Sequence, residues 1–165
     1  MELLVPHGAI HYFHALASNG RLDGLSRLLE LGYDVDATDR ELSTGLHYAA
    51  NSHSPKLAAM IRLLVETGAH IHKQHKRYGY TALYYAVGNS DIPAVEYLLQ
   101  RGANINHNRI GRGPTKRKPL GLAAQSATKE MVRFLLDRGA DVNETTLSHS
   151  TALHVAAEYG RDEVC

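Results

Sequence analysis

Apolar positions along the chain recur with the spacing of short amphipathic helices, and the same pattern returns several times. Apolar residues three or four positions apart occur in four segments, each of which precedes a glycine. Such spacing is expected for helices that bury one face. The apolar sets are Leu25, Leu28 and Leu29; Ile61, Leu64 and Val65; Val95, Leu98 and Leu99; and Val132, Leu135 and Leu136. The glycines lie at positions 32, 68, 102 and 139, and we expect each to end its helix in the left-handed conformation.

A second phrase comes before each of these helices and predicts another, shorter helix. It reads Thr-Gly-Leu-His-Tyr-Ala-Ala at 44–50, Thr-Ala-Leu-Tyr-Tyr-Ala-Val at 81–87 and Thr-Ala-Leu-His-Val-Ala-Ala at 151–157, with weaker copies at 13–17 and 118–124. The threonines are expected to act as N-caps, whose hydroxyls accept hydrogen bonds from the first free amides of a helix. The paired small residues keep the helix thin enough for the next repeat to pack closely against it.

These phrases together resemble the ankyrin-repeat family, whose unit of about 33 residues carries a Thr-Pro-Leu-His-x-Ala signature. The resemblance covers roughly residues 9–165 and implies an all-α repeat solenoid of helix–turn–helix units, each with a β-hairpin finger. It also implies a leader at 1–9, then repeats at about 10–40, 41–77, 78–114 and 115–147 and a partial repeat at 148–165. The signature proline survives only as Pro119, and Tyr84 and Gly121 replace its histidine. Those two repeats are therefore expected to be less regular.

The spacing of the pattern changes at two places. Phe13, Leu83 and Leu120 each precede a glycine by 19 residues, but Leu46 precedes Gly68 by 22, which predicts three extra residues near 52–55. The finger at 107–118 is longer than its neighbours. The last residues, 161–165, match the start of a second helix, and ending there would leave the apolar side of Leu153, Val155 and Ala156 uncovered. We interpret the chain as a fragment of a longer protein, or else as an open end that a partner completes.

The composition limits which class of protein this chain can be and indicates its cellular compartment. The net charge is +1, with 44% hydrophobic and 21% charged residues, so the composition is that of an ordinary globular protein. The one cysteine, Cys165, permits no internal disulfide, which favours a reducing compartment. No secretory signal is recognised, and no apolar run approaches the ~20 residues that span a bilayer. We expect an intracellular monomer in the cytoplasm, the nucleus or both.

Two of the expected fingers are strongly basic. The first basic finger, residues 70–79, contains Lys73, Lys76 and Arg77 and no acid. The second basic finger, residues 107–118, also lacks acids and contains Arg109, Arg112, Lys116, Arg117 and Lys118. These are 8 of the 18 basic residues, so the rest of the chain has 10 basic against 17 acidic residues, a net of −7.

Adjacent fingers of a solenoid lie side by side, so the two basic fingers predict one positive ridge. Such a ridge would attract an acidic or phosphorylated protein partner. Tyr78 and Tyr80, close to Arg77, add residue types that are enriched at binding hot spots. The alternative interpretation is that these charges are solvated loop tips. Binding of anionic lipid or nucleic acid is less favoured, because the sequence has no recognised nucleic-acid motif.

The resemblance implies roles for several further residues. In the family, the residues just after each signature line the concave face, which would place Asn51, Asn89 and Gln125 there as partner-binding residues. The signature histidines, His14, His47 and His154, would hydrogen-bond the backbone between repeats. Finger asparagines of the family can be hydroxylated by an oxygen-sensing asparaginyl hydroxylase, and Asn106 and Asn143 are candidates. The alternative for both is stabilisation of a turn.

The sequence offers little support for catalysis or metal binding. The chain has no His-Glu-x-x-His, Gly-x-Ser-x-Gly or Gly-x-x-x-x-Gly-Lys-Ser/Thr. His70, His72 and His75 form the tightest histidine cluster, but no cysteine or acid joins them in the finger, and we interpret them as solvated. We therefore expect a non-catalytic protein–protein interaction module without metal or cofactor. The alternative is the recognition arm of a larger enzyme or signalling protein.

Overall fold

Pairs of short helices repeat along the chain, as the two-helix pattern predicts. A computed structural model describes residues 7–107, 118–145 and 149–162. Within these ranges nine α-helices form, and the first begins inside the segment interpreted as a leader. They are α1 (His7–Ser18), α2 (Leu22–Glu30), α3 (Gly45–Ala50), α4 (Leu57–Glu66), α5 (Ala82–Gly88), α6 (Ile92–Gln100), α7 (Pro119–Ser126), α8 (Lys129–Asp137) and α9 (Ala152–Glu158).

The helices stack in two rows. The odd-numbered inner helices pack successively, α1 on α3, α3 on α5, α5 on α7 and α7 on α9, and the outer helix α4 lies between α2 and α6. The hydrophobic core follows the stack as one large cluster and a smaller one between α7 and α9, so each repeat completes its neighbour's core. Its largest fully buried side chains are Phe13, Leu25, Leu46, Leu57, Met60, Ile61, Leu64, Leu83, Leu98, Leu120, Met131 and Leu135.

Glycine ends the outer helices as predicted. Gly32, Gly68, Gly102 and Gly139 have φ of 82°, 101°, 92° and 87°, in the left-handed region. The starts of two outer helices carry caps that the sequence analysis missed. Asp91 accepts a hydrogen bond from the Ala94 amide at 2.9 Å, and Thr128 accepts one from the Met131 amide at 3.3 Å.

Turns, rather than strands, form the fingers in the described residues. The first basic finger is closed by hydrogen bonds from the His75 amide to the Tyr80 carbonyl, 2.9 Å, and from the Gly79 amide to the His75 carbonyl, 2.7 Å. Two closing bonds are too few for a β-ladder. The finger is also joined to the preceding one, because Asp36 accepts from the His70 amide at 3.1 Å and pairs with the His70 ring.

Two expectations about apolar side chains are wrong. Leu136, predicted to lie on a buried helix face, is 41% exposed. Val155 and Ala156 were expected to be uncovered, but both are buried against Ala124 of the preceding repeat. Leu153, on the same helix, is 53% exposed, so only part of the expected uncovered surface exists. Val155 and Ala156 face the preceding repeat because α9 packs on α7.

Candidate partner-binding surface

Four aromatic rings form a continuous stack where the first basic finger meets helix α5. His75 stacks on Tyr78, Tyr78 on Tyr80 and Tyr80 on Tyr84, with ring centroids 5.1, 5.4 and 4.3 Å apart. All four side chains are half-buried. Each aromatic pair contributes about 0.5–1.5 kcal/mol beyond its burial. The stack therefore stabilises the finger in one conformation and keeps part of each ring accessible.

A shallow cavity of about 150 Å³ lies beside this stack, between the finger and helices α3 and α5. Tyr85, on the cavity wall, makes an edge-on contact with Tyr80 at 5.5 Å, so the cavity and the stack are continuous. The volume is below the ~300 Å³ typical of small-molecule pockets and is suited to a side chain. The cavity is lined by Ser43, His47, Tyr48, Asn51, His75 and Tyr85.

Two tyrosines of the cavity keep their protons well above neutral pH. Burial, followed by the nearby Tyr80 and Tyr78, raises the pKa of Tyr85 to about 12. Burial also raises the pKa of Tyr48 to about 12, reinforced by the 2.7 Å hydrogen bond that its hydroxyl donates to Asp39. Both phenols are therefore neutral at physiological pH and add no negative charge to the surface.

The carboxylate of Asp39 is held in place by three hydrogen bonds from neighbouring residues. Burial disfavours its charge, but hydrogen bonds from the Ser43 amide, the Tyr48 hydroxyl and the Glu41 amide outweigh burial and lower the pKa of Asp39. The distances are 2.9, 2.7 and 2.8 Å. Asp39 is thus ionised and fully engaged, and it orients Tyr48 at the edge of the cavity.

The cations of the first basic finger lie next to the aromatic stack. Lys73, Lys76 and Arg77 are all exposed. The Arg77 guanidinium lies 5.4 Å from the centre of the Tyr78 ring, within the range of a cation–π interaction. The Lys76 amide donates a 2.7 Å hydrogen bond to the Glu41 carbonyl, which fixes the backbone of the finger. The structure therefore brings together Arg77, Tyr78 and Tyr80, and their role in partner binding stays a prediction.

The described residues include only the two ends of the second basic finger, His107 and Lys118. Lys118 is described, and its ammonium lies 3.0 Å from the Glu144 carboxylate. The side chains are 22% and 6% exposed, so this pair is largely buried. Lys118 is thus engaged in an internal ion pair, and its role in partner binding stays a prediction. The other four predicted cations lie outside the described residues: Arg109, Arg112, Lys116 and Arg117.

The three inner-helix residues predicted to bind a partner differ from one another. Asn51 is exposed and lines the cavity. The side-chain amide of Asn89 donates two 2.9 Å hydrogen bonds, one to the Ala50 carbonyl at the end of α3 and one to the Ser52 carbonyl in the loop that follows. Asn89 therefore holds repeats two and three together, and this use competes with partner binding. Gln125 is half-buried, and its carbonyl accepts a hydrogen bond from Arg161.

The two candidate hydroxylation sites occupy equivalent turns. The Asn106 side chain accepts a 3.0 Å hydrogen bond from the Asp141 amide and donates to the Gly139 carbonyl at 3.4 Å. It thus connects two neighbouring fingers. Asn143 is exposed, and its backbone amide donates a hydrogen bond to the Asp141 side chain at 3.0 Å. Both asparagines lie in stabilised turns, and hydroxylation at either remains a prediction.

Two signature histidines, His14 and His47, each join their own repeat to the finger that follows it. The Nε2 atom of His14 lies 3.1 Å from the Ala37 carbonyl, and that of His47 lies 3.0 and 3.2 Å from the Lys73 and Tyr80 carbonyls. Both side chains are buried. The predicted structural role is confirmed for these two residues, and His47 also positions the base of the aromatic stack.

Together with the half-buried His107, these two histidines make stability depend on pH. Burial lowers the pKa of His14, His47 and His107 below the ordinary 6.5. The unfolded chain therefore binds more protons than the folded chain below pH 6.5, and the free energy of unfolding falls as the pH decreases from that value. Each histidine contributes a slope of up to about 1.4 kcal/mol per pH unit. Urea unfolding at pH 7.5, 6.5 and 5.5 tests this, and equal stability at all three values would contradict it.

In residues 7–107, 118–145 and 149–162, no three His, Cys, Asp or Glu side chains converge as metal ligands. No helix in the described part of the chain combines the length and the apolar character needed to cross a bilayer.

Comparison with known proteins identifies relatives over most of the chain. The B-cell lymphoma 3 protein homolog of Mus musculus is 35% identical over 139 residues, covering 84% of this chain and 30% of that protein. Rabankyrin-5 of Mus musculus is 34% identical over an alignment of 172 residues, covering 84% of this chain and 14% of that protein. The L-asparaginase of Dirofilaria immitis is 30% identical over 144 residues, covering 86% of this chain and 23% of that protein.

The chain thus spans less than a third of the length of each of these relatives. A family profile described as ankyrin repeats (3 copies) matches residues 13–109 and 106–165, which together include nearly all of the repeats described above. The chain belongs to the ankyrin-repeat family.

Proposed function

We propose that this chain is a non-catalytic protein-interaction module that binds one protein partner, as a monomer, through the first basic finger and the adjoining inner helices. Ankyrin repeats generally mediate protein–protein interaction. The observation that carries the finer proposal is the combination of the aromatic stack, the side-chain-sized cavity and three exposed cations in one place.

The chemistry of this surface favours an acidic or phosphorylated segment of the partner. Tyrosine and arginine are the residue types most enriched at binding hot spots, and Arg77 lies beside Tyr78 in the stack. Lys73 and Lys76 add long-range attraction, which raises association rates more than it lowers dissociation rates. The neutral Tyr85 hydroxyl can donate a hydrogen bond to a carboxylate or phosphate.

The cations of the second basic finger other than Lys118 extend this proposal along the solenoid. Neighbouring repeats present neighbouring fingers, so Arg109, Arg112, Lys116 and Arg117 would lengthen the positive surface. Asn51, which lines the cavity, would add polar recognition. We also propose an intracellular location, cytoplasmic or nuclear, because the sequence contains a single cysteine.

The test compares three forms of the chain as bait for cell-lysate proteins at low and high salt. One is wild type, the second carries Lys73→Gln, Lys76→Gln and Arg77→Gln, and the third carries Arg27→Gln, Lys129→Gln and Arg133→Gln. The third form loses the same charge from exposed positions of outer helices α2 and α8. We expect the finger variant alone to lose a discrete protein, with an association rate lowered about 10-fold at low salt.

Other outcomes of this experiment would change the assignment. Equal loss in the finger variant and the outer-helix control would mean that net charge, not this surface, governs binding. Retention of the partner by both would move the interface to other surfaces. Capture of lipid or nucleic acid that falls steeply with salt and ignores polymer sequence would favour an anionic ligand instead.

A second candidate is the recognition arm of a larger enzyme or signalling protein. It is favoured by one observation, that the chain covers only part of each curated relative, including 23% of the L-asparaginase of Dirofilaria immitis. In that case this chain still supplies binding, and another domain supplies activity. The full-length transcript from the source organism distinguishes a longer repeat array from an appended domain.

A further inference from the structure

The loop between helices α3 and α4, residues 51–56, differs from the other turns between paired helices. It contains six residues, whereas the corresponding turns are 19–21, 89–91 and 127–128. The extra length exposes His53, Pro55 and Lys56. It also contains Ser54-Pro55, the one place in the sequence where serine or threonine precedes proline. A serine followed by proline in an exposed loop is the minimal recognition element of proline-directed protein kinases.

The hydroxyl of Ser54 lies at the boundary between repeats one and two. It packs against Gly20 in the turn between α1 and α2, where a Cβ atom would collide with it. It also accepts a 3.2 Å hydrogen bond from the Lys56 amide. Ser54 itself is half-buried, and both its neighbours in sequence are exposed. Its hydroxyl thus faces the preceding repeat from a loop whose adjacent residues are exposed.

A cavity of about 240 Å³ adjoins this boundary. Its wall includes Gly20, Arg21, Lys56, Tyr12 and the carboxyl-bearing Asp23. Arg21 and Lys56 are exposed, and in the described residues neither forms an ion pair. Two cations against one carboxylate leave the cavity net positive. Gly20 and Lys56, which both contact Ser54, line this cavity.

We propose that Ser54 is a phosphorylation site and that the cavity lined by Arg21 and Lys56 receives its phosphate. A proline-directed kinase would transfer the γ-phosphoryl group of ATP. The Ser54 Oγ–phosphorus bond forms, the bond from phosphorus to the β,γ-bridging oxygen breaks, ADP leaves and the hydroxyl proton passes to the catalytic base of the kinase. The product carries about −1.5 to −2 charges and strong acceptor oxygens.

Phosphorylation would tie repeat one to repeat two. Arg21 precedes α2 and Lys56 precedes α4, so a phosphate bound between them joins the starts of these outer helices. Charge-assisted hydrogen bonds from both cations outweigh repulsion by the single Asp23. An open groove of about 530 Å³ separates α2 from α4 further along, so the two helices have room to be drawn together.

The first experiment uses the full chain with phosphoserine incorporated at position 54 during translation. We expect its Tm to exceed that of the unmodified chain by about 2–4 °C. The gain should disappear in an Arg21→Gln, Lys56→Gln background and persist in a Lys129→Gln, Arg133→Gln background. A Tm that is unchanged or lowered by phosphoserine would overturn the assignment of the receiving cavity.

The second experiment tests the acceptor itself. The full chain is incubated with ATP and a proline-directed kinase, and intact mass and peptide mapping are followed. We expect one phosphoryl group on Ser54, absent in Ser54→Ala and strongly reduced in Pro55→Ala. Efficient modification of a peptide of residues 48–60, with none of the folded chain, would show that the loop is not accessible and would overturn the proposal.

Discussion

Replacing His47 with leucine is expected to lower the free energy of unfolding by about 3 kcal/mol, because it leaves buried polar groups without partners. The His47 ring bonds the Lys73 and Tyr80 carbonyls of the next finger, and its Nδ1 atom accepts from the Thr44 amide at 3.1 Å. Leucine preserves most of the volume but none of these hydrogen bonds. Urea unfolding measured by circular dichroism gives the difference.

His154 provides a matched control within the same chain. It occupies the same signature position, but it is exposed, and its described contacts are with Thr151 at the start of its own helix. His154→Leu therefore removes only cap interactions, worth about 1 kcal/mol or less. Equal losses for the two variants would show that the signature histidine acts within its own helix and not between repeats.

Replacing Lys118 with methionine is the second change with a large expected effect. Glu144 would remain buried, with its side chain 6% exposed, and without its cation. Breaking one side of a buried ion pair costs roughly 3–5 kcal/mol, and the partial exposure of Lys118 favours the lower end. The double variant Lys118→Met, Glu144→Leu should recover most of this loss, because no buried charge remains.

The pH dependence of the Lys118 variant gives an independent check. Burial raises the pKa of Glu144, and Lys118 opposes that shift. Without Lys118 the folded chain would hold a proton on Glu144 to higher pH than the unfolded chain does. Stability then falls as the pH rises through the folded-state pKa. We expect the loss caused by Lys118→Met to be larger at pH 8 than at pH 5, and a constant loss would indicate that only packing was changed.

Most of the fold could be predicted from the sequence, because the same residue pattern recurs in each repeat and each copy predicts the same pair of helices. Helix-ending glycines and apolar residues at helical spacing recur in one frame, and tertiary packing between similar units supports the same local preferences. The three extra residues near 52–55 appeared as a change of spacing and are found in the loop 51–56. The caps Asp91 and Thr128 were missed, although residues of these types directly before a helix are a standard start signal.

The candidate surface was predictable only in part, since sequence spacing does not show which side chains meet across repeats. Lys118 looked like one more cation of an acid-free finger, but Glu144 of the following finger pairs with it. Asn89 was expected to face a partner, yet its amide holds the preceding repeat. The four-ring stack depends on Tyr84, which the sequence analysis had considered only as a departure from the signature histidine.

The central claim, that the first basic finger and its aromatic stack form the binding surface, is tested most directly by hydrogen–deuterium exchange. Exchange would be compared for the chain alone and in complex with the protein lost from the Lys73, Lys76 and Arg77 variant. We expect protection to concentrate in residues 73–80 and at the Asn51 end of α3. Protection confined to the outer helices α2, α4, α6 and α8, with the finger unchanged, would contradict the account.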